Sequence, residues 1–394
     1  MICKFPENCF YFKFFLLIFI FVIFTPAAFT QSAQPWWLSL ERGKVLFRSG
    51  DYGEALMLFE DAKRNRRAMY EQMERDLINY LSVNEVRRIG DSLDRIESFS
   101  YDRHYTAASS ALEELFYRIP KESFKNSATS ALGAFDKLKN FPEAEYWIGE
   151  VYRVEGELSL ALLQYRKAYE MREVLENKGF AVDLLYKTAG VLRTRQEYNE
   201  MERVYFSIIN NEDTLWQNTR KAETNSSTLP YAQAYALFTS QAMTRTLEND
   251  GVSRFLEFYR YNNAIVEPAH RQIGFFYAAT GRPTAQHHLM YAFLIQNSII
   301  IEEVIRRRFD FTFTNLQALF DEINNNEPLL SYIDEVEYYK TAYYLGSSLY
   351  RNGKTAVARN LWEFLASQRR AGEWQNRAGM QLRNPRMEPI VEMP

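Results

Sequence analysis

The sequence predicts an all-α protein, an α-solenoid of antiparallel helix hairpins, and three observations carry that expectation. Apolar residues recur at helical spacing through nearly all of residues 36 to 370, the rhythm of amphipathic helices that each bury one stripe. Short breaks, several of them at glycine, interrupt the rhythm. Small and bulky residues then return in one register around those breaks, as they do when a single supersecondary unit is repeated. Glycine and proline are sparse, 16 and 12 among 394 residues, which disfavours an all-β fold dense in tight turns.

Residues 1 to 33 differ in kind from the rest. Lys4 and Lys13 precede an unbroken apolar run from Phe14 to Phe24, FFLLIFIFVIF, and small or polar residues such as Ala27, Ala28, Ser32 and Ala33 follow. A charged start, a short apolar centre and a small-residue zone form the layout of a secretory signal peptide. As a helix the run would span only about 16 Å, roughly half a bilayer core. Cleavage after Ser32 or Ala33 is expected; the alternative is an uncleaved N-terminal segment that anchors the chain in a membrane. Both cysteines, Cys3 and Cys9, lie before the run, whereas a lipoprotein signal needs one just after it. The cleaved protein would hold no cysteine, hence no disulfide, thiol nucleophile or thiolate metal site. The expected location is extracytoplasmic, periplasmic or secreted.

Along the mature chain, Trp36-Trp37 is expected to cap the apolar end of the first unit. The segment Ser39 to Ala62 carries Gly43, Phe47, a turn at Gly50-Asp51-Tyr52, then Ala55, Phe59 and Ala62. Its second helix is expected to run on to Tyr80. Val83 to Phe99, Arg103 to Ile119 and Glu122 to Asn140 read as further amphipathic helices. Glu145 to Ala168 repeats the first pattern with Gly149, Tyr152, a turn at Gly156, then Ala161, Tyr165 and Ala168. Gly346, Leu349, a turn at Gly353, then Ala358, Trp362 and Leu365 repeat it again. Weaker copies contain Ala189, Tyr198 and Tyr205, with Met201 where a small residue is expected, and Gly274, Tyr277 and Gly281, with Ala285 and Tyr291 out of register. The first-helix small residues are 106, 40, 85 and 72 positions apart. The 85 is explained by a polar linker over residues 214–229, which divides helical repeats at 34–213 from helical repeats at 230–370. Phe309 to Asn326 is read as helix, with a local strand or irregular turn as the alternative. From 371 to 394 periodicity fades and a disordered tail is expected.

These copies resemble the tetratricopeptide repeat (TPR) family, whose 34-residue unit sets a small residue of one helix, here Gly149, against one of the next, here Ala161. The resemblance implies a right-handed superhelix in which first helices line a concave groove that takes a protein or peptide partner. Carried onto this chain, the groove positions are Tyr146, Glu150 and Arg153, then Tyr186 and Arg193, then Tyr343, Ser347 and Tyr350. The family's carboxylate clamp of Lys and Asn is missing from them. The consensus Trp and Pro positions are largely vacant, although Pro120 and Pro142 fall where unit boundaries would lie.

Charge and motif content narrow the function further. Net charge is −3 with the signs interspersed, unlike the basic stripe of a nucleic-acid binder. Arg66-Arg67 and Arg306 to Arg308 are read as solvated helix faces, so no nucleic-acid partner is expected. His104, His270, His287 and His288 give no metal site, since helical neighbours diverge by about 100° and His270 takes a packing position. Nucleophile elbows, phosphate loops and zinc-protease helices are absent by pattern. Glu113-Glu114 and Glu302-Glu303 are read as solvated pairs. The expectation is a non-enzyme without cofactors: an exported TPR-like scaffold mediating protein–protein interactions in the cell envelope. The alternative is a helical-repeat small-molecule-binding protein associated with a transporter.

Overall fold

The computed structural model describes residues 35–80, 135–210, 241–324 and 326–386. Fourteen α-helices and two short 3-10 turns account for its regular structure, with no strand among the described residues. The chain divides into two compact units, Met1–Glu155 and Gly156–Pro394. The signal segment, the helices expected across 83–134, the linker and residues 387–394 lie outside the described residues. No helix among those described is long and apolar enough to cross a membrane.

Unit 1 contains α1 (Trp36–Ser49), α2 (Tyr52–Tyr80) and α3 (Pro142–Val154). Gly50 adopts φ 90°, and the Asp51 N–H returns to the Leu46 carbonyl at 2.9 Å, closing α1 with a left-handed C-cap. The chain then reverses into α2, which runs to Tyr80 as expected. Proline at the start of α3 and Glu143 and Glu145 in its first turn favour helix initiation there. Trp36, Leu40, Phe59, Phe141 and Ile148 meet in one core with Ala55, Ala62 and Ala144. Trp36 does close that core, edge-on to Phe141 at 5.0 Å. Arg66 departs from the solvated-face reading: it is fully buried, while Arg67 is exposed.

Unit 2 contains α4 (Leu158–Glu170), α5 (Phe180–Thr194), α6 (Tyr198–Asn210), α7 (Gln241–Phe258) and α8 (Glu267–Ala279). It continues with α9 (Ala285–Arg307), α10 (Leu316–Ile323), α11 (Glu327–Glu335), α12 (Tyr338–Arg351), α13 (Thr355–Ser367) and α14 (Glu373–Arg383). Three antiparallel hairpins, α5/α6, α8/α9 and α12/α13, form its frame. Each turn repeats the closure seen in unit 1: Glu197 to Leu192 at 2.9 Å, Arg282 to Tyr277 at 2.8 Å and Lys354 to Leu349 at 2.8 Å. The residue in the left-handed region is Gly281, Gly353 or, in α5/α6, Gln196. Successive hairpins pack through α6 on α8 and α9 on α12, and α8 also touches α12.

The helix crossings correct the expected pairing of small residue with small residue. In hairpins that lie within one unit, the first-helix glycine makes room for a large side chain. A Cβ on Gly43 would come within 2.5 Å of the Phe59 ring, and one on Gly346 within 2.8 Å of Trp362 Nε1. Ala55 and Ala358, the expected small partners, are buried as well. A Cβ on Gly274 would come within 2.7 Å of Leu289, which stands one position short of the spacing in the other two hairpins. That shift is the register fault read from Ala285 and Tyr291.

Two further expectations change. The reading of 309–326 as helix holds only from Leu316, where the Asn315 side chain caps the helix by accepting from Ala318 N at 2.8 Å. Before it the chain is irregular, with Phe313 buried and Phe309 96% exposed. The expected disordered tail instead opens with α14, which packs on α13. Its inward stripe is Trp374, Ala378 and Gln381. One aromatic, one small residue and one amide make a packing face that reads as polar in sequence.

Candidate functional site

The positions read as a groove are placed on the first helices α3, α5 and α12. In unit 1, Glu150 is 4% exposed and accepts from Arg153 Nε at 3.2 Å and Nη2 at 2.9 Å. Tyr146 is also buried, edge-on to Trp147 at 5.3 Å. Arg153 retains 40% side-chain exposure.

In unit 2, Tyr186 and Arg193 are brought together by α8. The Tyr186 hydroxyl donates to the Ile265 carbonyl at 2.5 Å and accepts from Ala269 N at 3.2 Å. Ala269 lies in the first turn of α8, so the hydroxyl satisfies a backbone donor that the helix itself leaves open. Burial pushes the Tyr186 hydroxyl well above its ordinary pKa, with the Ala269 hydrogen bond opposing. Two helical turns on, Arg193 Nη1 donates to Gln272 Oε1 at 2.9 Å. These two side chains clamp α8 to α5.

The opposite edge of α8 carries an ionic network to α12. Arg271, 9% exposed, donates from Nε to Glu267 Oε1 at 3.0 Å and from Nη1 to Glu337. Glu267 also accepts from Gln296 Nε2 at 2.7 Å, and Glu337 accepts from Lys340 at 2.8 Å. Burial raises the Glu267 pKa against the pull of Arg271. For Glu337 burial pushes upward too, but Lys340 and Arg271 outweigh it and hold the carboxyl low. Glu337 itself sits at φ 48°, a left-handed conformation unusual for a residue with a Cβ. Tyr332 of α11 is half-buried beside this network. Its pKa is raised first by burial and then by the charge of Glu267.

Arg271 and Phe275 were not among the positions read from sequence. They stand three before and one after Gly274, the same offsets that place Tyr186 before Ala189 and Ser347 after Gly346.

On α12 the expected face is partly covered. Tyr343 is fully buried: Trp374 lies 5.4 Å from its ring, Arg377 stands over it at 5.3 Å and Gln381 Nε2 donates to its hydroxyl at 3.2 Å. It is thus a docking point for α14 and not an open groove residue. Ser347 and Tyr350 remain half-buried, Tyr350 reaching the Pro385 carbonyl at 3.4 Å.

His270 takes the packing position read for it and is fully buried. His270 and His288, on α8 and α9, approach to 3.1 Å between their Nδ1 atoms, and His270 stacks on Tyr291 at 4.7 Å. Burial drives both below the ordinary histidine range, His288 to about 4. Among the described residues no group of three or more His, Cys, Asp or Glu side chains could hold a metal ion. Chemically, the α5–α8–α12 face offers tyrosine rings, guanidinium groups and carboxylates already engaged with each other, an arrangement suited to binding.

No family model matches the chain. The chain is 26% identical over 354 residues to an uncharacterized protein of Treponema pallidum (strain Nichols), covering 89% of this chain and 90% of that one. The similarity therefore extends along both chains nearly from end to end.

Proposed function

We propose that the chain is an exported TPR-like scaffold of the cell envelope, a right-handed solenoid of helix hairpins that holds a protein or peptide partner on its first-helix face. It acts by binding, without catalysis, cofactor or nucleic acid. One observation carries the reading: α5, α8 and α12 are tied side by side through Tyr186, Arg193, Arg271 and Glu337. A face so fixed is preorganised, and preorganisation lowers the entropy cost of binding a partner. Tyrosine and arginine are also residue types enriched at interface hot spots.

The contact residues of this reading are Tyr332 and Tyr350 in unit 2. Tyr186 and Arg193 support the face from within. The test is a crosslinking pull-down from envelope fractions with the intact protein and a Tyr332→Ala, Tyr350→Ala variant of verified helicity. A discrete protein recovered with the intact chain and lost with the variant supports the reading. Equal recovery with both, or recovery with neither, contradicts it.

A further inference from the structure

Away from the first-helix face, unit 2 holds a cavity of about 360 Å³ where α7, α10 and α13 meet, a volume within the range of small-molecule sites. Three buried side chains, Val252, Leu316 and Leu361, form its apolar floor, with Phe364 beside them. The helix α7 breaks at Gly251, whose φ 80° and ψ 177° are not helical. Asn360 of α13 approaches that break, its Nδ2 lying 3.4 Å from where a Cβ on residue 251 would be.

The polar lining has one sign of charge. Asp250 and Glu363 contribute carboxylates, and no Lys, Arg or His lines the cavity. Asp250 and Asn360 are exposed and, with Ser253, make no side-chain hydrogen bond among the described residues, so their polar groups are open to solvent at the cavity's mouth. Nearby cations are engaged elsewhere: Arg254 with Glu257 at 2.5 Å and Lys354 with Glu248 at 2.6 Å. Glu363 is paired with Arg359 at 3.4 Å, but both are more than half exposed on one helix, a contact that a competing cation can displace.

We infer that this cavity binds a small organic cation, an alkylammonium or guanidinium group on a short aliphatic chain. Asp250 and Glu363 meet the charge, and Ser253 Oγ and Asn360 Oδ1 accept its remaining N–H donors. The aliphatic chain lies on Leu361 and Phe364, whose ring face also attracts a cation. An anion would meet two carboxylates, and an apolar ligand would strip water from polar groups without pairing them. The inference does not rest on the scaffold reading.

The test is isothermal titration of the full chain with putrescine and agmatine, against butane-1,4-diol and glutarate as neutral and anionic controls. The amines bind and the controls do not. Asp250→Asn, which keeps shape and removes charge, weakens amine binding by about tenfold or more, the scale of one charge-assisted hydrogen bond. Asn360→Leu, which removes an acceptor from the lining, also weakens amine binding. Circular dichroism melts establish that both variants are folded. A lysine-containing peptide binding where putrescine does not would assign the same cation chemistry to a protein side chain. Diol binding as tight as putrescine binding overturns the inference. So does amine affinity unchanged in both Asp250→Asn and Glu363→Gln, or no binding of any amine or lysine peptide at millimolar concentration.

Discussion

The guanidinium of Arg66 lies 4.7 Å from the Trp36 ring and 4.5 Å from that of Phe141, with no exposed surface. Its Nε donates to the Leu138 carbonyl at 2.9 Å, while Nη1 and Nη2 have no acceptor among the described residues. Burying charge with incomplete pairing is costly, so an apolar side chain of similar length should do as well. Arg66→Met is predicted to change stability by less than about 1 kcal/mol or to raise it. Arg66→Ala, which leaves a hole between two rings, should cost about 2–4 kcal/mol. Urea unfolding of both variants checks this. The burial was legible in spacing but not in residue type: Ala55, Phe59, Ala62 and Arg66 continue one helical stripe, yet arginine beside arginine suggests a solvated face. A second residue-scale prediction concerns the buried pair His270 and His288, held below the usual histidine range by burial. The unfolded chain takes up these protons near pH 6.5 and the folded chain does not. Their contribution to stability is therefore complete above about pH 6.5 and declines as pH falls, that of His288 being lost towards about pH 4. His288→Phe should flatten the fall in melting temperature across that window. An unchanged slope would exclude the pair as its source.

At the scale of elements, the hairpin turn was the most legible feature of the fold. Gly50, Gly281 and Gly353 all fall in the left-handed position that their sequence breaks suggested. The α5/α6 turn conceals the same device because Gln196 occupies that position at φ 62°. A side chain there costs about 1–2 kcal/mol relative to glycine. Gln196→Gly is predicted to stabilise the chain by about 1 kcal/mol in chemical unfolding, where most glycine substitutions within helices would destabilise. The C-terminal helix was illegible for the opposite reason. Its packing stripe holds one large apolar side chain, Trp374, among small and polar residues, and the aromatics that Trp374 meets, Tyr343 and Tyr344, belong to α12. Removing residues 372–394 should uncover those rings and cost about 2–4 kcal/mol, with a lowered melting temperature and increased dye binding to exposed apolar surface. A truncation that melts like the full chain would contradict the role assigned to α14.

For the whole molecule, sequence periodicity specified an all-helical chain because an amphipathic stripe is a local property that survives irregular spacing between units. Repeat register was harder to read. The one-position offset at Leu289 depends on how Gly274 packs, and no local pattern encodes it. The candidate face was legible as a set of offsets from small first-helix residues, but Tyr186 and Arg193, read there as contacts for a partner, are engaged with α8 instead. What covers those offsets is a tertiary property, so the burial of Tyr343 beneath α14 could not be read. The central claim is that the first-helix face of unit 2 holds a protein. Site-specific photo-crosslinking in the native envelope tests it most directly, with the crosslinker placed at Tyr332 and Tyr350 and, for comparison, at exposed Leu163 and Arg203 on α4 and α6. The account predicts one common adduct from positions 332 and 350 that is absent from 163 and 203. Adducts of equal yield from all four positions, or from 163 and 203 alone, would contradict it.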